Sequence, residues 1–256
     1  MNLCWMNSAP RSTSKSGPGC GGSGIGRATC KILAREGASV VVADKNLQNV
    51  QDTVKSMPKA ADQDHLGVEL EVSEIKTIKN SLNKVLEKYK RPPTIIVNSA
   101  GITRDNFLLK LSEQDFDEVL DVNLKGTFLV IQTFVNSMLA HNLPSASIIN
   151  IASIVGKYGN LGQANYCASK AGVELLTKTA AKELGKMNIR VNCVLPGMIL
   201  TPMLEAVPDK VKEKFTKMIP MSRFGKPEEV AEVIAFLASE KSSYINGASI
   251  EVTGGF

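Results

Sequence analysis

A chain of 256 residues, 43% hydrophobic and 21% charged, can bury most of its apolar surface in one large domain without covalent staples. Thirty basic and 25 acidic residues leave a net charge of +5 with no run of like charge, which speaks against a nucleic-acid surface and suits a mixed solvated face or a phosphate-bearing substrate. Five cysteines without C-x-x-C spacing (Cys4, Cys20, Cys30, Cys167, Cys193), with only His65 and His141 beside them, suggest no metal site and fit a reducing compartment, and no apolar run is long enough for a membrane span.

From the N-terminus, no acidic residue appears before Glu36, while Arg11, Lys15, Arg27, Lys31 and Arg35 lie among many Ser and Thr. That is the composition of a mitochondrial transit segment, or equally of a tail that carries no address. The stretch Ser16–Arg27, SGPGCGGSGIGR, ends in glycines of the kind that hold a dinucleotide pyrophosphate. Such a loop directly follows a β-strand, yet the residues before it, SAPRSTSKSGPG, contain none. The glycines therefore read either as a nucleotide loop that has lost its strand or as a linker.

Beyond residue 24, strand and helix patterns alternate. Ser39–Asp44, Leu66–Val72, Thr94–Asn98, Ser147–Ser153, Ile189–Leu195 and Ser249–Val252 read as strands. Those around Val41, Ile96 and Ile149 are apolar on consecutive residues, as in a parallel sheet covered on both faces. Helices are expected over Gly26–Glu36, Leu47–Met57, Glu74–Lys90, Ser112–His141, Gln163–Met187 and Pro227–Ser239. Ser112 and Asp115 form a capping-box-like start, and Pro227 precedes Glu228 and Glu229 in a first turn. The alternation predicts a single-domain, Rossmann-like, doubly wound α/β fold over residues 21–256. Thr201–Pro220, with Met203 and Met218, breaks it and reads as a substrate lid or as a surface helix with loose ends.

Asp44 ends the strand SVVVAD, 18 residues after Gly26. A carboxylate there accepts hydrogen bonds from a ribose 2′-OH and repels a 2′-phosphate, which favours NAD(H) over NADP(H), with the adjacent Lys45 softening the preference. Tyr166 and Lys170 are four residues apart on a predicted helix and share a face. An ammonium beside a phenol favours the phenolate; bringing a tyrosine from about 10 to about 7, worth roughly 4 kcal/mol, makes it a usable acid and base near neutrality. Ser153 ends a buried strand, where α/β folds place their ligands.

In combination, G-S-G-I-G at 22–26, N-S-A-G at 98–101, Asn123 in DVNLKG, Ser153, Y-x-x-x-K at 166–170 and P-G-x-I-x-T at 196–201 resemble the short-chain dehydrogenase/reductase family from about Gly22 to the C-terminus. VNSAGITRDNFLLKLSEQDFDEVL, SIVGKYGNLGQANY and KMIPM resemble its members that reduce 3-oxoacyl-[acyl-carrier-protein] or oxidise 17β-hydroxysteroids. The resemblance implies Tyr166 as proton donor, Lys170 as its partner and a nicotinamide-ribose ligand, Ser153 as a donor to the substrate carbonyl, and Asn123 as the residue that interrupts its helix and holds a relay water. It also implies a cofactor surface of Gly22, Ser23, Gly24, Ile25, Gly26, Asp44, Glu71, Val72, Asn98, Ala100, Gly101, Pro196, Gly197, Ile199 and Thr201, together with Tyr166 and Lys170.

Two features depart from the family pattern. The first strand is expected to be missing or replaced, with Gly19 and Cys20 where Thr and Gly belong, and residues 1–20 read as a foreign or transit segment. Glu71 stands where an Asp is usual. The expected function is NAD-dependent interconversion of 3-oxoacyl and (3R)-3-hydroxyacyl thioesters. The alternatives are 17β-hydroxysteroid oxidation and an impaired subunit within a hetero-oligomer. The family implies a homotetramer, or a heterotetramer with a second reductase subunit. Lys182 and Lys186 read as a site for an acidic carrier protein or, more simply, as a solvated helix face.

Overall fold

In a computed structural model, residues 3–7, 24–201, 204 and 209–256 are described. Seven strands form one all-parallel sheet in the order β3-β2-β1-β4-β5-β6-β7. They are β1 (Leu3–Asn7), β2 (Ser39–Asp44), β3 (Leu66–Glu69), β4 (Ile95–Asn98), β5 (Ala146–Ile151), β6 (Ile189–Pro196) and β7 (Ser249–Val252). Helices cover both faces, as alternation demands. They are α1 (Gly24–Arg35), α2 (Leu47–Ser56), α3 (Ile75–Tyr89), α4 (Glu113–Leu120), α5 (Gly126–Ala140), the short α6 (Val155–Tyr158), α7 (Ala164–Leu184), α8 (Asp209–Met218) and α9 (Pro227–Ala238).

The first strand is replaced and not missing. Leu3–Asn7 fills the centre of the sheet, with Trp5 opposite Val41 on one side and Ile96 on the other. Its four apolar residues alternate faces. Leu3 and Trp5 join the core under α3 and α5, and Cys4 and Met6 join the core under α1 and α9. A strand covered on both faces needs only this, whatever the identity of the residues. The Trp5 ring lies 4.5 Å from that of Phe134 on α5. The signal was present as four consecutive apolar residues, LCWM. It does not stand immediately before the glycines, because residues 8–23 separate β1 from α1. Gly19, Cys20, Gly22 and Ser23 lie outside the described residues, as does most of the 1–20 segment.

The expected Ser112–His141 helix is two helices. Ser112 caps α4 by accepting from the Asp115 amide. Then one π turn over Asp121–Lys125 carries the Gly126 amide back to the Asp121 carbonyl. Such a turn shifts the following residues around the helix axis, and it marks functional sites more often than chance. Helix α7 ends at Leu184, so Lys182 and Lys186 do not share one α-helical face; both are exposed. Of the irregular segment after β6, α8 is described, while Pro202, Met203 and Pro208 lie outside the described residues. No described helix is long and apolar enough to cross a membrane.

Candidate active site

The strand order reverses between β1 and β4, and in such sheets ligands bind at the carboxyl ends beside that point. Here those ends carry a buried ladder of amides. Asn7 Nδ2 donates to Asn98 Oδ1 (2.7 Å), Asn98 Nδ2 to Asn150 Oδ1 (2.8 Å), and Asn150 Nδ2 to Thr177 Oγ1 (2.9 Å) on α7. Strand register sets the spacing, because Asn7, Asn98 and Asn150 sit side by side. Asn7 Oδ1 also accepts from the amides of Ser99 and Ala100, at 3.0 and 3.3 Å, and so shapes the N-S-A-G turn.

Next to that turn the backbone leaves no room for side chains. A Cβ on Gly101 would stand 3.2 Å from Lys170 Nζ and 3.4 Å from Asn123 Oδ1. Gly24 opens α1 at φ +62°, and a Cβ on it would meet Thr201 Cγ2 at 3.0 Å. The start of α1 and the turn after β6 thus face each other, with Gly26 buried and Ile25 packed into the core behind. Gly197 abuts the Thr253 backbone, and Ile199 is buried and bridged to Gly225. Pro196 ends β6 beside them. These glycines make a floor of bare backbone, and a helix start such as that of α1 supplies amides that can donate to an anion. At the far end Asp44 is fully buried, its Oδ1 accepting from the Asn46 amide at 2.8 Å. Glu71 and the buried Val72 follow β3 alongside it, and Val72 packs on the backbone of Gly126. Bare-backbone floor, helix start and strand-end carboxylate suit a nicotinamide dinucleotide.

On the other side of the reversal, Tyr166 and Lys170 lie one turn apart on α7, with Nζ 5.6 Å from the phenol ring centre. Lys170 is buried, and its Nζ donates to the Ile151 carbonyl at 2.8 Å. Burial lowers its pKa from 10.5 to about 8, with the nearby Cys193 acting weakly the other way. Ser153 follows β5 at the head of α6. A Cβ on Gly156 would come within 2.8 Å of the Ala171 amide, so only glycine lets the Ser153 turn rest against the helix of Tyr166 and Lys170. Asn123 lies in the π turn, fully buried. Its Oδ1 accepts from the Ile102 amide (2.8 Å), and its Nδ2 donates to the Ile102 carbonyl and to Ser169 Oγ. It therefore ties the turn after β4 to α7, which places it beside Lys170 across Gly101.

A family profile described as enoyl-(acyl carrier protein) reductase matches residues 19–256. The chain belongs to the short-chain dehydrogenase/reductase family. Its relatives include the rat (3R)-3-hydroxyacyl-CoA dehydrogenase, 52% identical over 240 residues that cover 91% of this chain and 92% of that one. A 3-oxoacyl-[acyl-carrier-protein] reductase of Thermotoga maritima is 49% identical over 91% of this chain and 93% of its own. Among solved structures, levodione reductase superposes with a TM-score of 0.88 at 30% identity, covering 99% of this chain and 96% of that one.

As a member of this family the chain is a nicotinamide-dependent oxidoreductase, and the geometry adds residues that motif reading passed over. Asn7, Asn150 and Thr177 complete the amide ladder. Asn165, fully buried in the first turn of α7, donates to the carbonyls of Arg104 and Asp115 and so anchors the start of the Tyr166 helix. Gln163 donates to both carboxylate oxygens of Asp105, whose pKa burial pushes up. Only Gln163 and Asn165 had a sequence signal, through their place in QANY; the partners of the others are 27 to 91 residues away.

Proposed function

We propose that the chain interconverts 3-oxoacyl and (3R)-3-hydroxyacyl thioesters of coenzyme A or acyl carrier protein, with NAD(H) preferred. The observation that carries the reading is the pairing of Tyr166 with a buried Lys170, against which Gly156 seats the Ser153 turn. The substrate class follows from relatives named for 3-hydroxyacyl and 3-oxoacyl substrates. The cofactor preference follows from Asp44, buried at the end of β2.

A bound nicotinamide supplies the hydride in reduction and takes it in oxidation. Tyr166 gives its phenolic proton to the carbonyl oxygen as the alcohol forms, and takes it back in the reverse direction. Ser153 Oγ donates a hydrogen bond to the same oxygen as negative charge grows there. The Lys170 cation stabilises charge on the phenol oxygen, and its hydrogen bond to Ile151 fixes where that charge sits.

A 17β-hydroxysteroid would meet the same residues, and the exposed Met218 and Met221 offer an adaptable apolar surface for either substrate. Apolar surface on α5 and α7, with Phe128 and Leu175 exposed, supports assembly into a tetramer with itself or with a second reductase subunit. The acid-poor N-terminus supports a mitochondrial matrix location. Because β1 is built from residues 3–7, that address would have to stay on the chain. The presence of β1 favours an active enzyme over an impaired subunit.

The test is oxidation of NADH by a short 3-oxoacyl thioester, run beside NADPH and an estradiol/NAD assay. Tyr166→Phe should abolish turnover and leave NADH binding intact. Equal loss of both would show that Tyr166 is structural, and turnover with the steroid alone would overturn the thioester assignment.

A further inference from the structure

β2 and β3 run in register, with Asp44 opposite Glu69, so the residues that follow each strand emerge side by side. Between them and the π turn lies a small polar cavity, whose walls include Lys45, Glu71, Ser73, Ile102, Arg104 and Val122. Glu71 is held at both carboxylate oxygens. Oε1 accepts from Ser73 Oγ at 3.0 Å, and Oε2 stands 3.6 Å from Lys45 Nζ. The other cation on the wall, Arg104, is engaged by Glu118 through two hydrogen bonds. Lys45 directly follows Asp44, the residue placed to meet the adenosine ribose. Its ammonium is therefore the positive charge nearest in the chain to a ribose 2′-phosphate, and Glu71 draws it across the cavity.

We propose that Glu71 helps set the cofactor preference by holding Lys45 away from the adenosine 2′ position, so that its ammonium is not offered to a 2′-phosphate. This rests on the reading of the site as a nicotinamide-dinucleotide site. The extra methylene of Glu71 over the aspartate usual in the family gives the carboxylate the reach to touch Ser73 and Lys45 together. A 2′-phosphate would compete with Glu71 for Lys45, and the ion pair gives NADPH a further barrier beyond repulsion by Asp44. Glu71→Gln keeps an oxygen acceptor for Ser73 and removes only the charge that holds Lys45.

The test is direct titration of the full chain with NADH and with NADPH, following nicotinamide fluorescence and reading dissociation constants without turnover. Glu71→Gln should tighten NADPH binding relative to NADH binding by about threefold to fivefold, the range an exposed ion pair of this kind controls. Adding Lys45→Ala to that variant should cancel the gain. If the double variant keeps the gain, Glu71 acts by its own charge and the Lys45 mechanism is wrong. Equal weakening of both cofactors in Glu71→Gln would make Glu71 a plain contact to the shared adenosine and would also refute it. If the unaltered chain binds neither cofactor, the cofactor reading itself fails, and this proposal with it; that result is distinct from a change confined to the variants.

Discussion

Trp5 gives the sharpest test of the fold, because it is the chain's only tryptophan and it lies in the central strand. It is fully buried against Phe134. Replacing it with alanine removes a large ring from a fully buried site, which costs about 3–5 kcal/mol in a packed core. Part of that is returned. The indole N–H of Trp5 is buried with no partner among the described residues, and removing such a group regains about 1–2 kcal/mol. The net loss is about 2–3 kcal/mol, which in a domain of this size lowers the melting temperature by roughly 5–10 °C. The assay is urea unfolding followed by far-UV circular dichroism, for the parent and for Trp5→Ala. Trp5 also reports on itself. Native emission should be blue-shifted and poorly quenched by acrylamide, and both should change together with the loss of ellipticity. Emission typical of exposed indole in the native protein, or an unchanged urea midpoint in Trp5→Ala, would refute the placement of residues 3–7 in the sheet.

Lys170 should destabilise the fold at neutral pH. A fall from 10.5 to about 8 on burial corresponds to about 3 kcal/mol of unfavourable charge burial, present in full below about pH 8 and relieved as pH rises toward 10.5. Lys170→Met should therefore be inactive yet more stable at pH 7 by about 1–2 kcal/mol after loss of the Ile151 hydrogen bond, with a gap that closes by pH 10; denaturant midpoints at both pH values check this. Gly156→Ala should force α6 away from α7 and lower kcat more than it raises KM, since the Ser153 turn moves while the cofactor floor stays; a steady-state kinetic comparison decides it. Asp44→Ala should narrow the NADH/NADPH gap by a few kcal/mol at most, and an unchanged ratio of dissociation constants would remove Asp44 from the specificity argument.

The parts of this enzyme legible in the sequence are those whose physics is local. Consecutive apolar runs gave β2, β4 and β5, the spacing of Tyr166 and Lys170 gave their shared face, and Ser112 with Asp115 gave the start of α4. What was illegible depends on partners far along the chain. The π turn at Asp121–Lys125 has no local composition that separates it from α-helix; the hydrogen bonds of Asn123 to Ile102 and Ser169 are what occupy the rotated position. Gly156 looks like any turn glycine until the backbone of Ala171 is placed beside it. In the sequence Glu71 is only a departure from the family pattern, and the register of β2 with β3 is what brings Lys45 within reach of it.

The central strand bears on function in a further way. In this fold the strand before the glycines ordinarily fixes where the pyrophosphate amides sit, because strand, loop and helix follow without a gap. Here residues 8–23 lie between β1 and α1, and among the described residues α1 is held by its own packing. Ala28 and Ile32 press on Ala231 of α9, and Arg35 makes a bidentate pair with Glu232. Cys30, Leu33 and Ala34 enter the same core as Cys4 and Met6. At the other end, Gly24 is located by its close approach to Thr201. The body of the helix is thus held by α9, and its start meets the turn after β6. What β1 contributes to the site is narrower: the Asn7 amide, which grips the Ser99–Ala100 turn and begins the ladder that reaches α7. A five-residue strand of unusual composition can serve because the site asks of it two apolar faces and one polar end.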